Sequence, residues 1–167
     1  MALFEPVFTA LNDAGVRYVV VGGVAVVLHG HARLTADLDI AIDLSPEATA
    51  EAMEALGAIG LRPRLPVDAA ELADPAVRAR WIDEQGMRVF SLWDPGDPLL
   101  SVDLFVENPI EFEELWERSD PVDLGGVRTR IASIEHLIRL KRLADRPQDR
   151  SDIEALEAIS SAREDEP

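Results

Sequence analysis

The chain has 167 residues, 47% of them hydrophobic and 29% charged, with 32 acidic side chains against 16 basic ones and a formal net charge of −16. That length and apolar fraction suit one globular domain and exclude a disordered polar chain, while the acidic balance excludes a general nucleic-acid binder, because it repels phosphate backbones. The absence of cysteine excludes disulfides, thiolate metal sites and cysteine nucleophiles, and no apolar run approaches the ~20 residues of a membrane span.

In chain order, the opening MALFEPVFTALNDAG lacks the basic region of a secretory signal, and the lack of cysteine fits the expected cytoplasmic location. Its apolar spacing from Leu3 to Asn12 predicts a first helix ending at Gly15. The β-branched run RYVVV (17–21) predicts a buried strand. Gly22-Gly23 breaks it, and VAVVLH reads as a short buried helix stopped by Gly30. ADLDIAID is the next strand, with Asp43 as a turn residue at its end. Ser45-Pro46-Glu47 then spells a helix start, with an end at Gly57 or Gly60. RPRLP is a loop or an edge segment, and PAVRARWIDE a helix. MRVFSLW (87–93) and LLSVDLFVE (99–107) are strands joined by the turn-rich DPGDP. A short acidic helix covers PIEFEELWER, a hairpin turns about Gly125-Gly126, Ser133 caps a helix through Ala144, and RPQD leads into a last helix through Ile159. The pattern predicts an α+β fold: a small mixed β-sheet with helices packed on it and a C-terminal helical pair. Residues 1–132 form the core, and 133–167 pack on it within one structural domain.

Two aspartates inside an apolar strand need a reason. Asp is poorly suited to strands, and alternate strand residues share a face, so Asp37 and Asp39 repel each other. Asp103, in SVDLF, sits in an equally apolar strand. If the two strands are neighbours, three carboxylates converge, an arrangement that is unfavourable without a cation. A pair of Mg²⁺ ions suits such hard oxygen donors and the in-line displacement at a phosphate. A strand that breaks at Gly22-Gly23 and enters a helix offers free N–H groups and a positive dipole end, a usual seat for phosphate. The bland alternative for Asp37 and Asp39 is a pair of solvated edge-strand carboxylates.

Val21-Gly22-Gly23, then Asp37-Leu38-Asp39-Ile40 after thirteen residues, then Val102-Asp103-Leu104, resembles the signature of the DNA polymerase β-type nucleotidyltransferase superfamily. The strings GGVAVVLHGHARLTADLDIAID and IASIEHLIRLKRLADRPQDRSDIEAL are similar to small bacterial AbiEii-type members of toxin–antitoxin systems. The resemblance implies a nucleotidyltransferase fold. It also implies that Asp37, Asp39 and Asp103 are catalytic and bind two Mg²⁺, with Asp103 helping to deprotonate the acceptor hydroxyl. Gly22 and Gly23 would cradle the triphosphate of a nucleoside triphosphate. Many members carry Ser at the position of Gly23, and that hydroxyl contact is absent here.

Arg33 and Thr35, in the loop before the aspartates, are within reach of phosphate or base. Against fifteen arginines the chain has one lysine, Lys141, which marks a place where a compact ammonium is wanted. It matches a helix lysine that AbiEii-like enzymes use near the nucleotide, with Asp149 or Asp152 as the acid that follows. The segment RLKRLADRPQDR (139–150) is locally positive, suited to a polyphosphate or an RNA end, whereas acid is concentrated in ENPIEFEELWE and the closing AREDEP. His29 and His31 read as structural, His136 as a helix-surface residue, and Trp81, Trp93 and Trp116 as core or rim.

The expected function is Mg²⁺-dependent transfer of a nucleoside monophosphate to a hydroxyl on tRNA, a protein or a small molecule, with a homodimer or a cognate toxin or antitoxin as partner and no membrane. The competing expectation is a catalytically weak binding subunit of the same fold.

Overall fold

The structure is a computed structural model and describes residues 2–164, so the end of the acidic AREDEP tail lies outside the described residues. Seven strands form one mixed sheet: β1 (Tyr18–Val20), β2 (Leu38–Ile42), β3 (Arg62–Pro63), β4 (Val89–Trp93), β5 (Ser101–Phe105), β6 (Asp120–Asp123) and β7 (Arg128–Ile131). Their order is β3-β4-β5-β2-β1-β7-β6. The helices are α1 (Glu5–Asp13), α2 (Gly22–His29), α3 (Pro46–Ala58), α4 (Pro75–Gln85), α5 (Phe112–Glu117), α6 (Ile134–Ala144) and α7 (Pro147–Glu164).

β2 is central, antiparallel to β1 and parallel to β5. Its neighbours explain its composition: Leu38 and Ile40 on one face meet Val102 and Leu104 of β5, and all four are fully buried. Burying four such side chains stabilises the sheet by several kcal/mol in total, at ~1.5–3 each. Both edge strands are short and carry a proline, Pro63 in β3 and Pro121 in β6, which blunts edge-to-edge pairing.

The helices fall into two contacting groups. α1 touches α3, while α2 packs against β2, α6 and α7. α2 therefore joins the first strand of the sheet to the C-terminal helices, and the site develops around it.

Four expectations need correction. β2 begins at Leu38, leaving Asp37 one residue outside the strand. The glycine pair opens α2 rather than preceding it. α7 continues five residues past Ile159 to Glu164. His136 is not a surface residue: it is 1% exposed, with Nε2 3.1 Å from Glu114 Oε1 of α5, because α6 turns that face onto α5. Elsewhere local chemistry and structure agree. Asp43 closes its turn by accepting from the Ser45 N–H at 2.9 Å and pairs with Arg17 at 3.0 Å. Buried His29 sits 2.8 Å from the Ala132 carbonyl, and Trp81 stacks on Phe90 in the core.

Candidate active site

The parallel pairing of β2 and β5 sets Asp39 directly beside Asp103, and the antiparallel pairing of β4 and β5 sets Ser91 beside Asp103. One row across three strands thus reads Asp39, Asp103, Ser91. Two residues further along the same face, Val89 and Phe105 are partners, so an apolar floor adjoins the carboxylates.

Both carboxylates are electrostatically strained. Burial, and then the charge of Asp103, push Asp39 up to about 6; the Gly23 amide and Arg146 pull it down. Burial also raises Asp103, against a hydrogen bond from Ser91, and the charge of Asp37 raises it further. Asp37 acts on both through its charge alone. Each raised value means that the ionised form is short of compensating positive charge.

The start of α2 lies against this pair. Gly22 has φ +60, and a Cβ there would overlap the Asp39 carboxylate and stand 2.8 Å from its Cβ. Only glycine lets β1 turn into α2 so close to Asp39. At Gly23 a Cβ would collide with the Thr35 hydroxyl and lie 2.5 Å from Arg33 Nη2. The space that a serine side chain would need at position 23 is therefore taken by a hydroxyl and a guanidinium from the α2–β2 loop. This gives a steric reason for glycine here, and it brings Arg33 and Thr35 to the helix start.

Lys141 is not on a solvated face. It is 6% exposed, with Nζ 3.1 Å from Asp149 and 2.5 Å from Asp152. Arg33 Nε lies 3.0 Å from the second oxygen of Asp152, close in distance but not aligned as a hydrogen bond. His31 is 3.8 Å from that oxygen. Three of the other four bases of 139–150 are also partnered, Arg139 with Glu114, Arg142 with Glu157 and Arg146 with Asp149, while exposed Arg150 makes no ion pair among the described residues. Partnering on this scale corrects the expectation of a free basic patch, because most of that charge is neutralised within the fold.

A cavity of about 710 Å³ opens beside the carboxylates. Gly22, Asp39, Asp103, Lys141 and Arg146 line its polar end, and Val89, Phe105, Leu137 and Leu140 are among its apolar walls. Arg33 and Thr35 are not part of this lining, so the loop side and the apolar side flank the carboxylates separately. Arg146 and Ser91 have no place among the residues that sequence motifs single out. Ser91 could have been found by its alternation within MRVFSLW, whereas Arg146 is legible only as one of the bases of the positive segment 139–150.

Across residues 4–163 the chain matches the model of a family described as nucleotidyltransferase of unknown function (DUF6036). The chain belongs to this family. No curated protein matches this chain, but solved structures do. A lincosamide antibiotic adenylyltransferase, LnuA, with lincomycin bound, superposes with a TM-score of 0.64 at 17% identity, covering 95% of this chain and 97% of that one. ANT(2'')-Ia in complex with adenylyl-2''-tobramycin gives a TM-score of 0.57 at 18% identity, over 96% and 94% of the two chains. An antigenic nucleotidyltransferase-like protein from Paracoccidioides brasiliensis gives 0.55 at 15% identity, over 93% of this chain and 73% of that one. Identities this low establish a shared fold. The DUF6036 chain is thus a nucleotidyltransferase-family member with a mixed α+β fold, and among its described residues no helix is long and apolar enough to cross a membrane.

The residues suit a hard cation in chemistry: oxygen donors, uncompensated negative charge and a position beside a helix N-terminus. Asp39 and Asp103 would hold it, with Asp37, whose charge acts on both, one residue outside β2. Among the described residues, however, no three acidic or imidazole groups are already gathered closely enough to hold a metal ion.

Proposed function

We propose that this chain transfers a nucleoside monophosphate from a nucleoside triphosphate to the hydroxyl of a small molecule with an apolar body. The observation that carries this reading is the register Asp39–Asp103 between the glycine-opened helix and the apolar cavity. The α2 N-terminus, with Gly22 and Gly23, receives the triphosphate, and Arg33 and Thr35 approach it from the loop. An acceptor in the cavity presents its hydroxyl to the carboxylates. Its oxygen bonds to the α-phosphorus, the bond from that phosphorus to the bridging oxygen breaks, and pyrophosphate leaves. Asp103 takes the hydroxyl proton, and Asp39 orients the α-phosphate side of the site. Bound Mg²⁺ would supply the charge neutralisation that two adjacent carboxylates and a triphosphate require.

Several features favour a small acceptor over RNA or protein. The cavity volume falls within the range of small-molecule sites, roughly 300–1,000 Å³; its walls are largely apolar; and four of the five bases in the segment that would meet a polyanion are paired within the fold. Two of the similar folds were solved with an antibiotic or its adenylyl derivative, which fits an acceptor of that size. The AbiEii-type reading, with tRNA or protein as acceptor and a toxin–antitoxin partner, finds less support in this surface. We place the reaction in the cytoplasm, where nucleoside triphosphates are abundant.

The test uses nucleotides radiolabelled at the α-phosphate, with Mg²⁺ and pooled hydroxyl compounds. Label should appear in a small molecule, with matching pyrophosphate release; label in tRNA or protein would overturn the acceptor assignment. Val89→Trp should fill the apolar end, keep triphosphate affinity, and lower transfer by about 10²-fold through displacement of the acceptor. Equal loss of nucleotide affinity would show that the base, not the acceptor, occupies that wall.

One observation favours a second reading, a binding subunit with little catalysis: the carboxylates are not gathered as a ready-made metal site. In that case a partner or second copy completes the site, and triphosphate would bind with no pyrophosphate released.

A further inference from the structure

Lys141 is placed to do something other than touch the nucleotide. Each of its two carboxylate partners uses one oxygen for the lysine and the other for an arginine. Asp152 accepts from Lys141 Nζ through Oδ2 at 2.5 Å, and its Oδ1 stands 3.0 Å from Arg33 Nε as an ion pair without hydrogen-bond alignment. Asp149 holds Lys141 through Oδ1 at 3.1 Å, and through Oδ2 it takes the Arg146 N–H at 3.1 Å and faces Arg146 Nε at 3.4 Å. The two arms end in different places. Arg33 lies against Gly23 at the start of α2; Arg146 lines the cavity and acts on both Asp39 and Asp103.

We propose that Lys141 is a positioning residue: through Asp152 it fixes Arg33 over the triphosphate seat, and through Asp149 it fixes Arg146 beside the carboxylate pair. This rests on the triphosphate reading given above. The lysine, Asp149 and Asp152 are almost wholly buried. For the ammonium to reach a phosphate it must release one carboxylate, leaving a buried charge unpaired, which is strongly unfavourable. Its chemistry also suits the centre of the network. A compact ammonium donates in three directions, whereas a planar guanidinium would not fit between two carboxylates that each need their other oxygen free. That accounts for a lone lysine in a chain that otherwise uses arginine. His31, at 3.8 Å from Asp152, is the remaining titratable group facing the Arg33 arm.

A double-mutant cycle on nucleoside triphosphate affinity tests the assignment. Arg33→Ala should weaken binding roughly tenfold or more, the loss expected for a charged hydrogen bond. Lys141→Met and Asp152→Asn should each weaken it by a comparable factor, and neither should cost more than about twofold in the Arg33→Ala background. A direct phosphate contact predicts otherwise: Asp152→Asn would leave affinity intact, and Lys141→Met would cost its full factor in that background. A second readout needs no nucleotide. In protein carrying isotope-labelled arginine, the Arg33 Nε–H, buried beside Asp152 in the parent, should be shielded from solvent exchange there and exchange faster in Asp152→Asn and Lys141→Met as the guanidinium is released. Arg130, whose Nε donates to Ser119 at 2.6 Å, serves as the control for an intact fold. An unchanged Arg33 resonance would refute the positioning role, whereas absence of nucleotide binding by the parent would instead refute the triphosphate reading.

Discussion

Asp39→Asn should lower nucleotidyl transfer by roughly 10³-fold, the scale seen when a group that stabilises developing charge is removed. It should also make the metal-free protein more stable, and the direction follows from linkage. Burial and the charge of Asp103 raise Asp39 to about 6 from 3.8, so the folded state binds the proton more tightly than the unfolded one. The folded state is therefore penalised progressively as pH rises through that window, and the penalty is complete above it. A rise of this size corresponds to a penalty on the order of 3 kcal/mol. In chelator at about pH 8 the variant should melt several degrees higher, while near pH 4 the two proteins should melt together. A melting temperature that Asp39→Asn leaves unchanged at both pH values would show that the carboxylate pair carries no electrostatic strain. Function and stability pull in opposite directions at this residue, as expected where charge is held ready for a ligand.

The second large effect is at Gly22. Gly22→Ala should destabilise the fold by about 2–4 kcal/mol and abolish triphosphate binding. Two costs combine. The backbone sits at φ +60, and the new methyl group would be 2.8 Å from Asp39 Cβ, an atom fixed by the β2 backbone that no rotamer change can move. Gly23→Ala provides the contrast. Its methyl group would meet the ends of the Thr35 and Arg33 side chains, which can swing aside, so stability should fall by no more than about 1 kcal/mol while triphosphate affinity drops with the displaced arginine. Chemical denaturation of both variants separates the two cases. Equal destabilisation would mean that α2 does not enter as tightly against β2 as the geometry requires.

The two glycines and the aspartate pattern show why so much of this site could be read from the sequence. Gly-Gly followed by Asp-x-Asp is local: each residue type has a backbone or strand reason that holds within a few positions. The pairing of Asp39 with Asp103 needed one assumption, that two apolar strands are neighbours, and strands of that composition belong in the middle of a sheet. Asp37 shows the limit of period-two reasoning, because alternation continues past the point where β2 begins. Lys141 and His136 could not be read in this way. Both lie in a helix whose sequence suits a solvated face, and both are buried by elements met elsewhere in the chain. Lys141 is held by aspartates eight and eleven residues on, in α7, and His136 by Glu114, twenty-two residues earlier. Segment charge counts residues but not their partners, so 139–150 read as positive when its charge is mostly spent within the fold. The apolar cavity is likewise a tertiary product, made where the β4–β5 face meets α6.

The most direct measurement is calorimetric titration of each nucleoside triphosphate into the full chain, with and without Mg²⁺, for the parent and for Asp39→Asn/Asp103→Asn. Binding that needs Mg²⁺ in the parent and is lost in the double variant is the result expected if these carboxylates hold the cation beside the triphosphate seat. Binding of equal strength without Mg²⁺ and in the double variant would contradict it, and would leave the Asp39–Asp103 row without the role given to it here.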